Sequence, residues 1–156
     1  MIRLSSRFHA RVTRHDTAVG LSNLFFGDGE FRVPMVPEPI GSGVTLEVDA
    51  RDVSVALSRP MDVSITNRFP GTIVEIERLD APYARVTFDL GSNRLHALVT
   101  WESVDRLALE PGLRAWAMIK SVAIAGAKIS EDPAGAPPPP EPRAWPRAKT
   151  PDRPKR

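Results

Sequence analysis

Thr100, Ser103 and Arg106 stand three residues apart in TWESVDRLALEPG, and Lys120-Ser121 follow within the apolar run LRAWAMIKSVAIA. Hydroxyls and cations in such a pattern suit the binding of an anion. A hydroxyl donates without adding charge, and a guanidinium offers a forked pair of charged donors. Val104, Leu107 and Ala108 fall at helical spacing and Pro111-Gly112 close the run, which predicts a helix with Thr100 as N-cap and Glu102 in the first turn. Ser103 and Arg106 then share a face, and the free amides of the first turn add donors. The reciprocal capping box is missing, because Ser103 stands where an acid or amide belongs. A plainer reading stands beside this one: Thr100 and Ser103 only cap the helix, and Arg106 is a solvated charge. Lys120 is equally divided. In a continuous strand Trp116, Met118, Lys120 and Val122 share one face, so the ammonium either reaches water from an edge strand or meets an anion.

Other chemistries have little to stand on. The chain has no Cys, which removes disulfides, Cys-ligated zinc and a thiol nucleophile together. His9, His15 and His96 are scattered without metal-ligand spacing, and Ser54 and Ser58 have no His and Asp to form a triad. No Gly-x-x-x-x-Gly-Lys-Ser/Thr loop occurs, so neither enzymatic activity nor a bound nucleotide is expected. Residues 1–130 carry fifteen basic and fifteen acidic side chains, and aromatic residues make up 6% of the chain. A barrel that binds nucleic acid uses a basic groove with interleaved rings, so that alternative is the weaker one.

The elements that must position these groups read as short strands. Arg7 to His15, Gly20 to Gly27, Glu30 to Met35 and Val44 to Leu57 are rich in Val, Phe, Leu and Thr, and Gly or Pro separates them. Pro70 to Glu77, Tyr83 to Gly91, Arg94 to Thr100 and Leu113 to Ala125 form a second series. The two series resemble each other. Arg-Phe opens both, at Arg7-Phe8 and Arg68-Phe69, and Gly43 precedes Val53 as Gly112 precedes Val122, which places Arg51 opposite Lys120. A unit of about 55 to 60 residues is duplicated, too small to bury much alone. The expected class is all-β: two tandem OB-like β-barrels, in residues 1–60 and 61–130, with one short helix in the second. Residues 131–156 hold nine of the sixteen prolines and read as a disordered, proline-rich tail.

Ser64 to Ile76 (SITNRFPGTIVEI), Leu95 to Gly112 (LHALVTWESVDRLALEPG) and Ala117 to Ala125 (AMIKSVAIA) resemble the Mop, or molbindin, type of TOBE domain. Residues 4 to 125, with RDVSVALSRP (Arg51 to Pro60) at the junction, are similar to the C-terminal regulatory region of the ATP-binding subunit of molybdate ABC transporters. The resemblance implies small barrels, a homodimer or higher homo-oligomer formed by strand exchange, and molybdate or tungstate held between barrels. It implies ligands at Ser64, Thr66 and Asn67, at Thr100, Ser103 and Arg106, and at Lys120 and Ser121. Thr66 departs from the family's Arg, which removes a charge unless Arg68 reaches in. The implied function is that of a transporter's regulatory domain or a stand-alone oxyanion-binding protein, with transporter components as partners. The alternative is a dimerisation module without ligand. No apolar run approaches the roughly 20 residues that span a bilayer, and no signal peptide is visible, so a cytoplasmic site is expected, at most peripheral at the inner membrane through a transporter.

Overall fold

The computed structural model describes residues 4–124 and 129–140. The chain folds into two five-stranded antiparallel sheets joined by one core. In chain order come β1 (Ser5–Asp16), β2 (Leu21–Phe25), β3 (Glu30–Pro34), β4 (Gly43–Asp49), a 3-10 turn (Ala50–Asp52) and β5 (Val53–Ala56). The second series is β6 (Asn67–Arg78), β7 (Tyr83–Asp89), β8 (Arg94–Thr100), α1 (Trp101–Arg106), β9 (Arg114–Ile119), a second 3-10 turn (Ser121–Ala123) and β10 (Ile129–Glu131).

The all-β class and, among the described residues, the single α-helix follow the sequence pattern. Along β1 and β9 the buried residues alternate with accessible ones, as a strand with one face on the core requires. The repeat is visible in the register. Arg11 of β1 pairs with Gly43 and Thr72 of β6 with Arg114, while a bulge interrupts β1 between Val12 and Arg14 and β6 between Ile73 and Glu75.

The sheets do not follow the sequence halves. The order is β10-β4-β1-β2-β3 in one and β5-β9-β6-β7-β8 in the other, so each repeat gives its last strand to its neighbour. The expected strand from Val44 to Leu57 therefore breaks at the Ala50–Asp52 turn, and β5 continues in the second sheet, with Val53 opposite Ile119. The expected strand from Leu113 to Ala125 breaks in the same way at Ile119. Lys120 is not in mid-strand: it is the N-cap of the second turn and exposed. In this structure the exchange of strands joins the two repeats of one chain.

Register also shifts the internal alignment by two. Ser6 pairs with Val48 and Asn67 with Ile119, so the counterpart of Lys120 is Asp49, which caps the first turn, and Arg51 lies two residues further on. The helix is shorter than its spacing suggests. It ends at Arg106, Ala108 adopts a φ of 50° and is exposed, and Leu109 takes the buried place.

The core is continuous across both repeats. Phe31 stacks edge-on against Phe8 at 5.1 Å and against Phe69 of the second repeat at 5.0 Å, with Phe26 at 4.7 Å. Polar clasps reinforce the junction. Asn67 accepts from the Arg32 amide (2.7 Å) and donates to the Arg32 carbonyl (2.9 Å), and Ser6 Oγ accepts from the His96 amide (2.9 Å) at the equivalent place. Asp28 accepts from the Ser92 and Asn93 amides, each at 2.9 Å. Gly91 supports this clasp with a φ of 130°, and a Cβ there would stand 2.5 Å from Asp28 Oδ1. Gly91→Ala is expected to cost about 1–3 kcal/mol in denaturant unfolding. A neutral result would mean that the clasp moves freely.

Part of the proline-rich segment is built into the fold. Glu131 ends β10, Asp132 donates its amide to Gly43 (2.7 Å), and Arg11 Nε donates to the Pro137 carbonyl (2.8 Å). Residues 141–156 lie outside the described residues. The Asp132 carboxylate accepts from Thr45 Oγ1 (2.8 Å) and meets His9 Nδ1 at 2.6 Å, and these bonds, Thr45 first, hold its pKa below 3.8. A lowered carboxylate pKa stabilises the fold above the unfolded value and loses that contribution as pH falls through the folded one. Amide protection of Ile129–Glu131 is expected to drop on acidification below pH 3.8, and to be reduced at neutral pH in Asp132→Asn. Unchanged exchange would show that the strand pairing alone holds this segment.

Candidate functional site

Thr100 leaves β8 in an extended conformation (φ −94°, ψ 156°) and caps α1, its Oγ1 accepting from the Ser103 amide at 3.1 Å and donating to Ser103 Oγ at 3.0 Å. Arg78 fixes the far side of the helix. Its guanidinium bonds Asp105 at 2.6 Å and lies 5.5 Å from the centre of the Trp101 ring. Val104 is the helix's buried anchor. These restraints turn Thr100, Ser103 and Arg106 toward a cavity of about 290 Å³ between the repeats.

The opposite wall comes from the first repeat. The Ala50–Asp52 turn packs against β8, and Arg51 and Ser54 line the same cavity as Thr100, Ser103 and Arg106, over a floor that includes Val53 and Leu109. Two guanidiniums and three hydroxyls thus face one space. Among the described residues, neither Arg51 nor Arg106 has a carboxylate within salt-bridge distance. Asp49 is close in sequence, but its Oδ1 accepts from the Arg51 amide at 2.9 Å and caps the turn. Six helical residues make a weak dipole, and the Ser103 amide is already bonded, so the side chains carry the electrostatics here.

Of the residues expected to bind, Ser64, Thr66, Asn67, Lys120 and Ser121 do not line this cavity, and Thr66, Asn67 and Ser121 meet one another elsewhere. Thr66 Oγ1 and Ser121 Oγ are 2.8 Å apart, and Asn67 Nδ2 reaches Ser121 Oγ at 3.5 Å. Asn67 is 1% exposed, with both amide atoms bonded to the Arg32 backbone, so it positions this cluster from below. Arg68 does not replace the charge missing at Thr66: its guanidinium donates to the Pro60 carbonyl at 2.6 Å. Ser64 and Lys120 are exposed. The second turn packs on β3, and the segment after β3 contains no helix, so the cluster has no counterpart of Thr100, Ser103 and Arg106 in its own chain.

The sequence pattern groups Thr100 with Lys120, whereas the structure brings Arg51 and Ser54 to the cavity of Thr100; for Arg51 the sequence signal is the internal repeat, which sets it opposite Lys120. A larger cavity, of about 420 Å³, opens where the two hairpin ends meet, but its charged lining is Asp28, Asp89 and Arg114. With two carboxylates to one cation it does not suit an anion, and the smaller cavity is the better candidate. Among the described residues no group of His, Asp and Glu is arranged to hold a metal ion, and no helix is long and apolar enough to cross a membrane.

Residues 63–125 match the TOBE domain model. The chain is 41% identical over 116 residues to the molybdenum import ATP-binding protein ModC 1 of Azotobacter vinelandii, an overlap of 74% of this chain and 32% of that protein. It is 39% identical over 116 residues to the molybdenum import ATP-binding protein ModC of Pseudomonas aeruginosa, covering 72% of this chain and 32% of that one. The chain thus spans about a third of the length of the curated relatives it matches. Its fold resembles the crystal structure of the cytoplasmic molybdate-binding protein ModG with molybdate bound, with a TM-score of 0.65 at 23% identity over 84% of this chain and 95% of that one.

Proposed function

Since residues 63–125 are a TOBE domain and the chain is homologous to the C-terminal region of the molybdenum import ATP-binding proteins, we propose that it binds a tetrahedral oxyanion, molybdate or tungstate. The observation that carries this reading is the convergence of Thr100, Ser103 and Arg106 on one cavity, with Arg106 in no ion pair among the described residues. A dianion brings oxygen acceptors and no apolar surface, so fixed hydroxyl donors and guanidinium charge replace its hydration. Nothing in this chemistry calls for catalysis or a bound nucleotide. The chain acts as the regulatory part of a molybdate transporter's ATP-binding subunit, or as a binding protein in its own right, on the cytoplasmic side.

The cluster of Ser64, Thr66, Lys120 and Ser121, held by Asn67, is a second place for the same ligand. It lies open, and the apolar side chains beside it in sequence, Met61 (72% exposed), Val63 (44%) and Val122 (76%), favour cover by a second copy of the chain. A homodimer would bring another protomer's groups over Lys120. The ligand-free dimerisation reading draws on the same place, because Thr66 supplies no charge and the Asn67 amide is taken up by Arg32.

The test is a calorimetric titration of the purified protein with molybdate, beside tungstate and sulfate. Saturable heat with molybdate and tungstate, and none with sulfate at the same concentrations, supports the reading. A well-folded dimer that gives no heat with any of the three overturns it and leaves the dimerisation module.

A further inference from the structure

We propose that one chain holds a complete oxyanion site between its own two repeats, in which Arg51 of the first repeat supplies the second positive charge and Lys120 has no part. The inference rests on the oxyanion reading above and identifies which residues complete its cavity.

Topology carries the argument. Because β5 crosses into the second sheet, the turn that precedes it is delivered to the end of β8, where Thr100 begins α1. Lys120 precedes the equivalent turn of the second repeat, which is delivered to β3 and not to β8. The exchange that assembles the fold therefore separates Lys120 from Thr100, Ser103 and Arg106 within a chain, and brings Arg51 to them.

The local chemistry agrees. At the position equivalent to Lys120 stands Asp49, and a carboxylate facing the cavity would repel an anion. Its Oδ1 is turned back to the Arg51 amide (2.9 Å), which caps the turn and fixes the backbone from which the Arg51 side chain leaves. Arg51 and Ser54 then flank the cavity on one side and Arg106 with the two hydroxyls of α1 on the other. Two cations of separate elements, each without a carboxylate partner among the described residues, balance a divalent anion. The cavity draws on no second copy, whereas Lys120 lies open at the surface.

The experiment is equilibrium dialysis with molybdate, counting sites per chain at several protein concentrations. In wild type the Arg51 site is expected at one per chain, with an affinity that does not change as the protein is diluted. Lys120→Ala is expected to lower the number of sites while this class remains. Arg51→Ala in the same background is expected to weaken the remaining class by roughly 10- to 100-fold, the usual loss for a charge-assisted hydrogen bond, and Arg51→Lys by less because the charge stays. Arg51 is exposed, and an unchanged unfolding midpoint would confirm that each variant is folded. A remaining class whose affinity is unchanged by Arg51→Ala in the Lys120→Ala background, or molybdate binding that disappears with Lys120→Ala alone, overturns this inference and leaves the oxyanion reading standing. A wild type that binds no molybdate overturns both.

Discussion

Arg106→Ala is expected to weaken molybdate binding by roughly 10- to 100-fold while leaving the unfolding midpoint nearly unchanged. The two halves of that expectation have separate physical causes. Arg106 is exposed, forms no ion pair among the described residues and sits in the last turn of a helix that Val104 and the Arg78–Asp105 bond already secure. Removing its side chain opens no cavity in the core, so stability should shift by less than about 0.5 kcal/mol. Its guanidinium is, by contrast, one of the two that line the cavity between the repeats, where the proposed anion would meet it. Calorimetry at low and high ionic strength measures the loss. An affinity within twofold of wild type would return Arg106 to the role of a solvated surface charge.

Phe31→Ala is expected to destabilise the protein by about 3–5 kcal/mol, enough to consume much of the stability of a domain this size. Phe31 is fully buried and touches three other rings, Phe8 and Phe26 of its own repeat and Phe69 of the other. Truncation leaves a cavity whose walls belong to both sheets, so neither can close it by moving alone. The site should suffer with the fold, because the relative placement of Arg51 and Arg106 depends on that junction. Urea unfolding followed by tryptophan fluorescence checks the figure. A loss below about 1 kcal/mol would mean that the ring cluster repacks, and that the clasps at Asn67, Ser6 and Asp28 align the repeats without it.

Strand alternation made most of the fold legible, because β9, β4 from Val44 onward, and β1 and β6 up to their bulges bury every second residue. The helix was legible from Thr100 and Val104, though Ala108 at a φ of 50° leaves the helical path that its spacing suggested. What stayed hidden was the break after Asp49 and after Ile119. Neither turn contains Gly or Pro, and both are followed by Val or Ile within a few residues, so local pattern reads straight through them. The same breaks decide what meets at the site: a continuous strand over β4 and β5 gives Arg51 no reason to meet α1, whereas the observed turn packs on β8 and places Arg51 on the cavity that Arg106 lines. For Asn67 the sequence shows only an amide in a ligand-like context, and the structure adds its bonds to the backbone of Arg32, 35 positions away, beside a longer reach to Ser121 Oγ.

The exchange of β5 and β10 also orders events during synthesis. The first sheet closes only when Ile129–Glu131 pairs with Val44–Leu46, so its edge waits for a strand made more than eighty residues later. The second sheet takes β5 early and has all five of its strands once Ile119 has emerged. On the ribosome the later repeat is therefore completed first, and the earlier one stands with β4 as an open edge until the chain has passed residue 131. The first sheet is thus the later of the two to acquire its full set of strands, whereas the cavity between the repeats draws on the Ala50–Asp52 turn, β5 and the second repeat.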